Sequence, residues 1–278
     1  MLVWPTKKAL ILKSKSPEKI LNVVPSAKSF SVKGQPLVAV PHRTEEPTLL
    51  RNMGYDASAP IRSYYQWPGR FKPFFAQKEA AAFLSMNKRA FNLSELGTGK
   101  SLASLWAYDY LRSIGQMNKA LVISPLSTLE RTWADEIFQH FPHLTYTVLH
   151  GAKDKRIKLL KEDFDVYIIN HDGVGIIEPH LKDRTDIDLV IVDEIAQCAR
   201  NASTTRWRKI NTVVNKHKAP RACWGMSGTP TPNAPTDAWA QCRLVVPDAV
   251  PPYFNRFKGQ VMKQLSPFQW IAKKGATE

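Results

Sequence analysis

Residues 97–101, Gly97-Thr98-Gly99-Lys100-Ser101, set two glycines directly before a lysine and a hydroxyl residue. Glycines let backbone N–H groups come close to an anion, a lysine reaches the outer phosphates, and the next hydroxyl can ligate Mg2+. At the start of a helix the dipole favours the same negative charge. The chemistry this pattern supports is binding of ATP with Mg2+. Gly97, Thr98, Gly99, Lys100 and Ser101 are therefore the candidate cofactor-binding residues, with Ser101 a metal ligand and Lys100 also counted as catalytic. Ser94 stands where the common form of this loop has its first glycine, a departure that leaves the phosphate-contacting part intact.

A phosphate loop also needs a carboxylate from another strand. About ninety residues later, the apolar run Leu189-Val190-Ile191-Val192 ends in Asp193-Glu194. Asp193 is expected to hold Mg2+ and Glu194 to polarise the attacking water as the catalytic base. A third segment, Met226-Ser227-Gly228-Thr229-Pro230, again follows an apolar run. Small hydroxyl residues there can bond to the acidic segment and shift with nucleotide state, so Ser227, Gly228 and Thr229 are the expected coupling residues. Alone, the acid pair reads as a solvated loop and the Ser-Gly-Thr-Pro run as a turn. Their order in one chain carries the argument.

These groups need elements to place them. Strands are expected at 90–93, 120–124, 147–149, 166–170, 189–193 and 223–227. Helices are expected between them, at 77–84, 100–114, 128–141, 154–161, 204–217 and 236–245. The strands are short and apolar without alternation, as strands buried on both faces should be. Strand–helix alternation implies an α/β fold with a doubly wound parallel sheet and helices on both faces. Residues 1–60 read differently, as short strands and turns (Ala9 to Leu12, Pro36 to Val40) with one helix starting near Pro47 and stopped by Gly54. The expected organisation is a small basic β-rich module at 1–60, a linker at 61–73, an ATP-binding lobe at 74–260, and the start of a further connection at 261–278.

Charge supports a polyanionic partner. The 278-residue chain carries net +15, and residues 1–90 hold fifteen Lys/Arg against five Asp/Glu, so two thirds of the excess lies in the first third. That is the footprint of a phosphate-backbone binder, although a merely basic surface has the same composition. The cysteines Cys198, Cys223 and Cys242 are odd in number and lack C-x-x-C spacing, against a disulfide framework or zinc site. No run approaches the ~18 apolar residues of a membrane span and no signal peptide is evident, so the cytoplasm is the expected location.

The ordered set Glu95 to Ser101, Ser124 to Trp133, Val192 to Ala196 and Met226 to Asn233 resembles motifs I, Ia, II and III of superfamily 2 helicases, and among them the Swi/Snf-type DNA translocases. The resemblance covers roughly residues 66–260 and includes Asn201 and the Asn233 to Trp239 segment. It implies the first RecA-like lobe of a DNA-dependent ATPase. Gln77, in Phe75-Ala76-Gln77, would read the adenine edge. Ser124, Pro125, Leu126 and Ser127 would contact a nucleic-acid strand, as would Asn170 and His171, through phosphate and sugar without sequence preference. Where the family usually has histidine after the acid pair and one residue, this chain has Ala196, so coupling must use another group such as Gln197, or be weaker. The first 60 residues distantly resemble HARP-like modules of annealing helicases.

Such motors use two RecA-like lobes, and 278 residues hold only one. The second lobe is expected in a longer protein or in trans. Because an arginine finger is worth ~10³–10⁵ in rate, the chain alone is expected to bind ATP weakly and hydrolyse it poorly. Two other readings stay open at this point: another class of P-loop NTPase, such as a small-molecule kinase, and a non-catalytic DNA-binding or annealing protein with a vestigial ATP site.

Overall fold

The computed structural model describes residues 1–219 and 221–276. Its first unit is built on β1 (Leu2–Trp4), β2 (Ala9–Lys13), α1 (Pro17–Val23), β3 (Lys28–Val32), β4 (Gln35–Pro41) and α2 (Glu45–Asn52). The strands form an antiparallel sheet in the order β1-β2-β4-β3. Alternate residues of β2 and β4 (Leu10, Leu12, Val38, Val40) are buried, with Leu10 opposite Val40 and Leu12 opposite Val38. Ile20 of α1 and Leu50 of α2 cover that face. The β-rich module is therefore present with its own core, and α2 matches the expected helix. Helix α1 was not expected: Pro17 at its first turn and a single buried Ile20 give too short an amphipathic signal.

The 61–73 stretch is packed rather than free. Helix α3 (Ile61–Tyr64) buries Ile61 completely, and Trp67 is nearly buried against Trp106. The Pro68 carbonyl accepts the Trp106 indole N–H at 2.9 Å, and Tyr65 donates to Asp109 at 2.5 Å. The sequence lacks period here because side chains from irregular backbone, not one helical face, enter the core.

The second unit runs α4 (Phe75–Met86), β5 (Arg89–Asn92), α5 (Lys100–Ser113), β6 (Lys119–Ser124), a π-helical turn (Leu129–Ala134) leading into α6 (Asp135–His140), β7 (Tyr146–Val148), α7 (Lys153–Lys161), β8 (Val166–Asn170), α8 (Val174–Ile177), β9 (Ile187–Val192), α9 (Ile195–Cys198), α10 (Thr205–Asn215), β10 (Ala222–Met226), α11 (Asp237–Val245) and α12 (Phe254–Val261). The six strands are parallel, in the order β5-β10-β9-β6-β8-β7. Each expected strand and helix is found within a few residues of its predicted ends. Two apolar clusters lie on the two faces: Val122, Ile168, Ile191 and Trp224 on one, Leu121, Ile123, Val190 and Cys223 on the other. Burial on both faces is why these strands read as unbroken apolar runs. Thr204 begins α10 as a true cap, its hydroxyl accepting the Trp207 amide.

After α12 the chain makes a hairpin of β11 (Met262–Ser266) and β12 (Gln269–Ala272). It occupies most of the 261–278 stretch expected to lead onward, whose residues 277–278 lie outside the described residues.

If 61–73 belongs to the fold, Ile61→Ala should cost about 2–4 kcal/mol in urea denaturation, the range for emptying a packed aliphatic site. A loss below ~0.5 kcal/mol would mark the segment as a tether.

Candidate active site

Register places the functional segments on one rim. Phe91, Gly225, Val192, Ile123 and Ile169 form one cross-strand row, and each is followed by a loop at the carboxyl end of its strand. From one side to the other the rim carries the 93–101 loop, the 227–229 segment, Asp193-Glu194, the 124–128 turn and Asn170-His171. Ligand sites of open parallel sheets form at this edge. On β10, Gly225 makes room for the side chains of Phe91 and Ile195, whose carbons a Cβ there would meet at 2.9 Å.

The glycine loop has the geometry of a phosphate cradle. Gly97 and Gly99 have φ of +77° and +75°, the left-handed region that favours glycine. Among the described residues, the amides of Gly97, Thr98 and Gly99 donate to no protein acceptor. Lys100 opens α5 and its ammonium donates to the Ser94 and Glu95 carbonyls at 3.0 and 2.9 Å. Buried Asn92 fastens the loop base by accepting from the Ser94 hydroxyl at 2.7 Å. Gln77 accepts the Phe74 amide at 2.9 Å and donates to the Thr98 carbonyl at 3.2 Å, so the expected adenine reader is tied directly to the loop.

Asp193 and Glu194 face this loop electrostatically. Burial raises the Asp193 carboxyl above its ordinary range, opposed by the Trp133 indole N–H, the Glu194 amide and Lys100. Burial and then Asp193 raise Glu194, again opposed by Lys100. Glu194 sits at φ +45°, a left-handed conformation rare for a side chain of this size and frequent at functional turns. Among the described residues no three His, Cys, Asp or Glu converge on a point. The donors available, one carboxylate from Asp193 and one hydroxyl from Ser101, fit a Mg2+ completed by the nucleotide's own phosphates and water.

The 227–229 segment docks on both neighbours. Ser227 is fully buried, its amide donates to the Asn92 carbonyl at 3.3 Å, and its hydroxyl accepts the Thr229 amide at 3.2 Å. Gly228 approaches Leu96 closely enough that a Cβ would sit 3.1 Å from it. Contact with the acid segment runs through packing of Gly225 on Ile195. Gln197, one of the alternatives for coupling, is exposed and lines a cleft of about 1000 Å³ with Arg200, Arg206, Thr236 and Trp239. Asn201, beside that cleft, caps its own turn by accepting the Ser203 amide.

The strand-contacting set divides. Leu126 and Ser127 are exposed on the rim. Ser124 and His171 are buried, and their side chains are engaged within the protein. The Ser124 hydroxyl pairs with Thr128, and His171 donates to the Asp193 carbonyl at 2.8 Å, its charged form disfavoured by burial. Asn170 is half-buried and accepts from Arg156. Rim position is legible from sequence, whereas which way each side chain turns depends on packing.

Two further residues belong here. Trp133 bonds Asp193. Glu136, one turn on, has a buried oxygen without a partner among the described residues and a carboxyl pushed up to about 8 by burial and then by Asp193. Within an amphipathic helix both positions read as ordinary packing. The partner lies about sixty residues away, which is why sequence pattern gives no signal.

Comparison with known proteins follows this geometry. A model of the SNF2-related domain matches residues 77–268. The ATPase ISW2 of the ISWI chromatin-remodeling complex of Saccharomyces cerevisiae is 30% identical over 160 residues, 55% of this chain and 14% of its own. Protein p41 of Acyrthosiphon pisum secondary endosymbiont phage 1 is 28% identical over 164 residues, 57% of this chain and 35% of its own. The Sulfolobus solfataricus SWI2/SNF2 ATPase core in complex with dsDNA superposes with a TM-score of 0.59 at 21% identity, covering 69% of this chain and 39% of that one. The chain thus spans between a seventh and two fifths of the length of these relatives.

Folded Glu136 keeps its proton to about pH 8, whereas the unfolded chain releases it near 4.5. Its contribution is complete below the lower value and is lost as pH rises toward the higher, at up to ~1.4 kcal/mol per pH unit. Asp193 and Glu194 add slopes of the same sign. Urea denaturation at pH 5, 6.5 and 8 should show Glu136→Gln flattening the fall and exceeding the parent in stability at pH 8. An unchanged slope would contradict the assignment.

Proposed function

The chain belongs to the SNF2-related domain family, and from that premise we propose that it is the ATP-binding motor lobe of a DNA-dependent ATPase, coupling hydrolysis to movement on or remodelling of DNA. The observation that carries this reading is the convergence on one rim of Lys100, the Asp193-Glu194 pair and Ser227 to Thr229, from three hydrogen-bonded strands.

In this reading the free amides of residues 97–99 and the Lys100 ammonium bind the phosphates, and Gln77 reads the adenine edge. Ser101 and Asp193 would hold Mg2+, which supplies neutralisation of the phosphate oxygens when bound. Glu194 accepts the proton of the attacking water; its raised proton affinity suits a general base. The Gly225–Ile195 packing and the Ser227 bonds to the loop base replace a direct hydrogen bond between the acid and hydroxyl segments, with Ala196 contributing none. Exposed Leu126 and Ser127 contact a DNA backbone, and the Lys/Arg excess of residues 1–90 adds non-specific affinity. We assign a second RecA-like lobe, in the same protein or in trans, the arginine finger; the short coverage of the relatives supports this. The β-rich first unit is read as a substrate-recognition module, and the working compartment as the cytoplasm of a bacterial or phage-infected cell. Among the described residues no helix is long and apolar enough to cross a membrane.

ATP turnover by the complete protein, with and without DNA, tests the proposal. Lys100→Ala and Glu194→Gln should each abolish the DNA-stimulated rate, by at least ~100-fold, the order expected for loss of a charge clamp or general base. The described chain alone should turn over at least ~1000-fold more slowly than the complete motor. DNA-dependent turnover that survives both substitutions would overturn the motor reading.

A further inference from the structure

One buried side chain touches the candidate metal carboxylate without carrying any phosphate, acid or hydroxyl chemistry of its own. Trp133 is fully buried, and its indole N–H donates to Asp193 Oδ2 at 3.0 Å. The other oxygen, Oδ1, accepts the Glu194 amide at 3.0 Å. Each carboxylate oxygen offers two lone-pair sites. One donor on each oxygen leaves acceptor capacity on both while fixing the plane of the group. An aspartate without them would sample other rotamers and meet a cation only in some.

The backbone is arranged for this contact. Trp133 lies in the π-helical turn Leu129–Ala134, closed by the Asp135 amide on the Glu130 carbonyl five residues back. Such turns are uncommon and concentrate at functional sites. Packing alone would not call for an N–H at this position, since an apolar site accepts phenylalanine or leucine. A buried indole needs an acceptor, and here the acceptor is the acid. Outer groups that orient a metal ligand in this way typically change metal affinity ~10–100-fold when removed.

We propose that Trp133 is a positioning residue for the nucleotide-associated Mg2+: its indole N–H holds the Asp193 carboxylate in the orientation that receives the cation. The inference rests on the ATP reading above and adds to it a residue from the 124–133 segment.

Binding of a fluorescent N-methylanthraniloyl-ATP to the full chain, in Mg2+ and in EDTA, tests it. Trp133→Phe keeps an aromatic ring and removes the donor. It should weaken binding about 10-fold in Mg2+ and less than about 2-fold in EDTA. In an Asp193→Ala background it should have no further Mg2+-specific effect. Equal losses in both conditions, or an undiminished Mg2+-specific loss in that background, would show a merely structural role and overturn the proposal. No Mg2+-dependent binding by the unsubstituted chain would overturn both this inference and the ATP reading. Should Trp133→Phe fail to fold, the indole N–H resonances of the eight tryptophans decide. One exchange-protected signal must lose protection in Asp193→Ala; if none does, the contact is absent and the proposal fails.

Discussion

The parallel pairing of β10 between β5 and β9 is the constraint on which the site depends. The 97–101 loop, the Asp193-Glu194 pair and the 227–229 segment are too far apart in sequence for local structure to bring them together. The ladder does so by aligning Phe91, Gly225 and Val192 in one row, so that the loops that follow begin at the same height. A one-residue slip of β10 would exchange its two faces, turning Trp224 and Cys223 into the wrong clusters. Apolar burial on both sides of the sheet therefore fixes the geometry of the rim as well as stability. Gly225 leaves room on the sheet face for the Phe91 and Ile195 side chains, which a Cβ there would meet at 2.9 Å.

Electrostatics at the rim follow from that placement. Burial raises the proton affinity of Asp193 and Glu194 at the end of β9 and of Glu136 on α6, while the Lys100 ammonium pulls the first two back down. Burying these carboxyls costs stability, a cost commonly carried at functional sites.

The lobe was legible because its signals are local. Unbroken apolar runs of four residues marked four of the six strands, and the alternation of strands with helices marked the sheet. What residue types do not announce is which way a side chain turns once the chain is packed. His171 and Ser124 lie on the expected rim but face inward, Gln197 faces a neighbouring cleft, and the 61–73 stretch inserts Ile61 and Trp67 into a core that no periodicity announces. Trp133 was silent for the converse reason, since a tryptophan on a helix face looks the same whether its N–H meets a peptide carbonyl or a carboxylate.

The account stands or falls on whether the loop after β5 and the acid after β9 act as one site. Electron paramagnetic resonance of Mn2+, added with ATP to the chain as a Mg2+ substitute, measures this directly. The predicted result is one nucleotide-dependent Mn2+ per chain, lost alike in Ser101→Ala and Asp193→Ala. Retention of that ion in either variant, or binding independent of ATP, would contradict it.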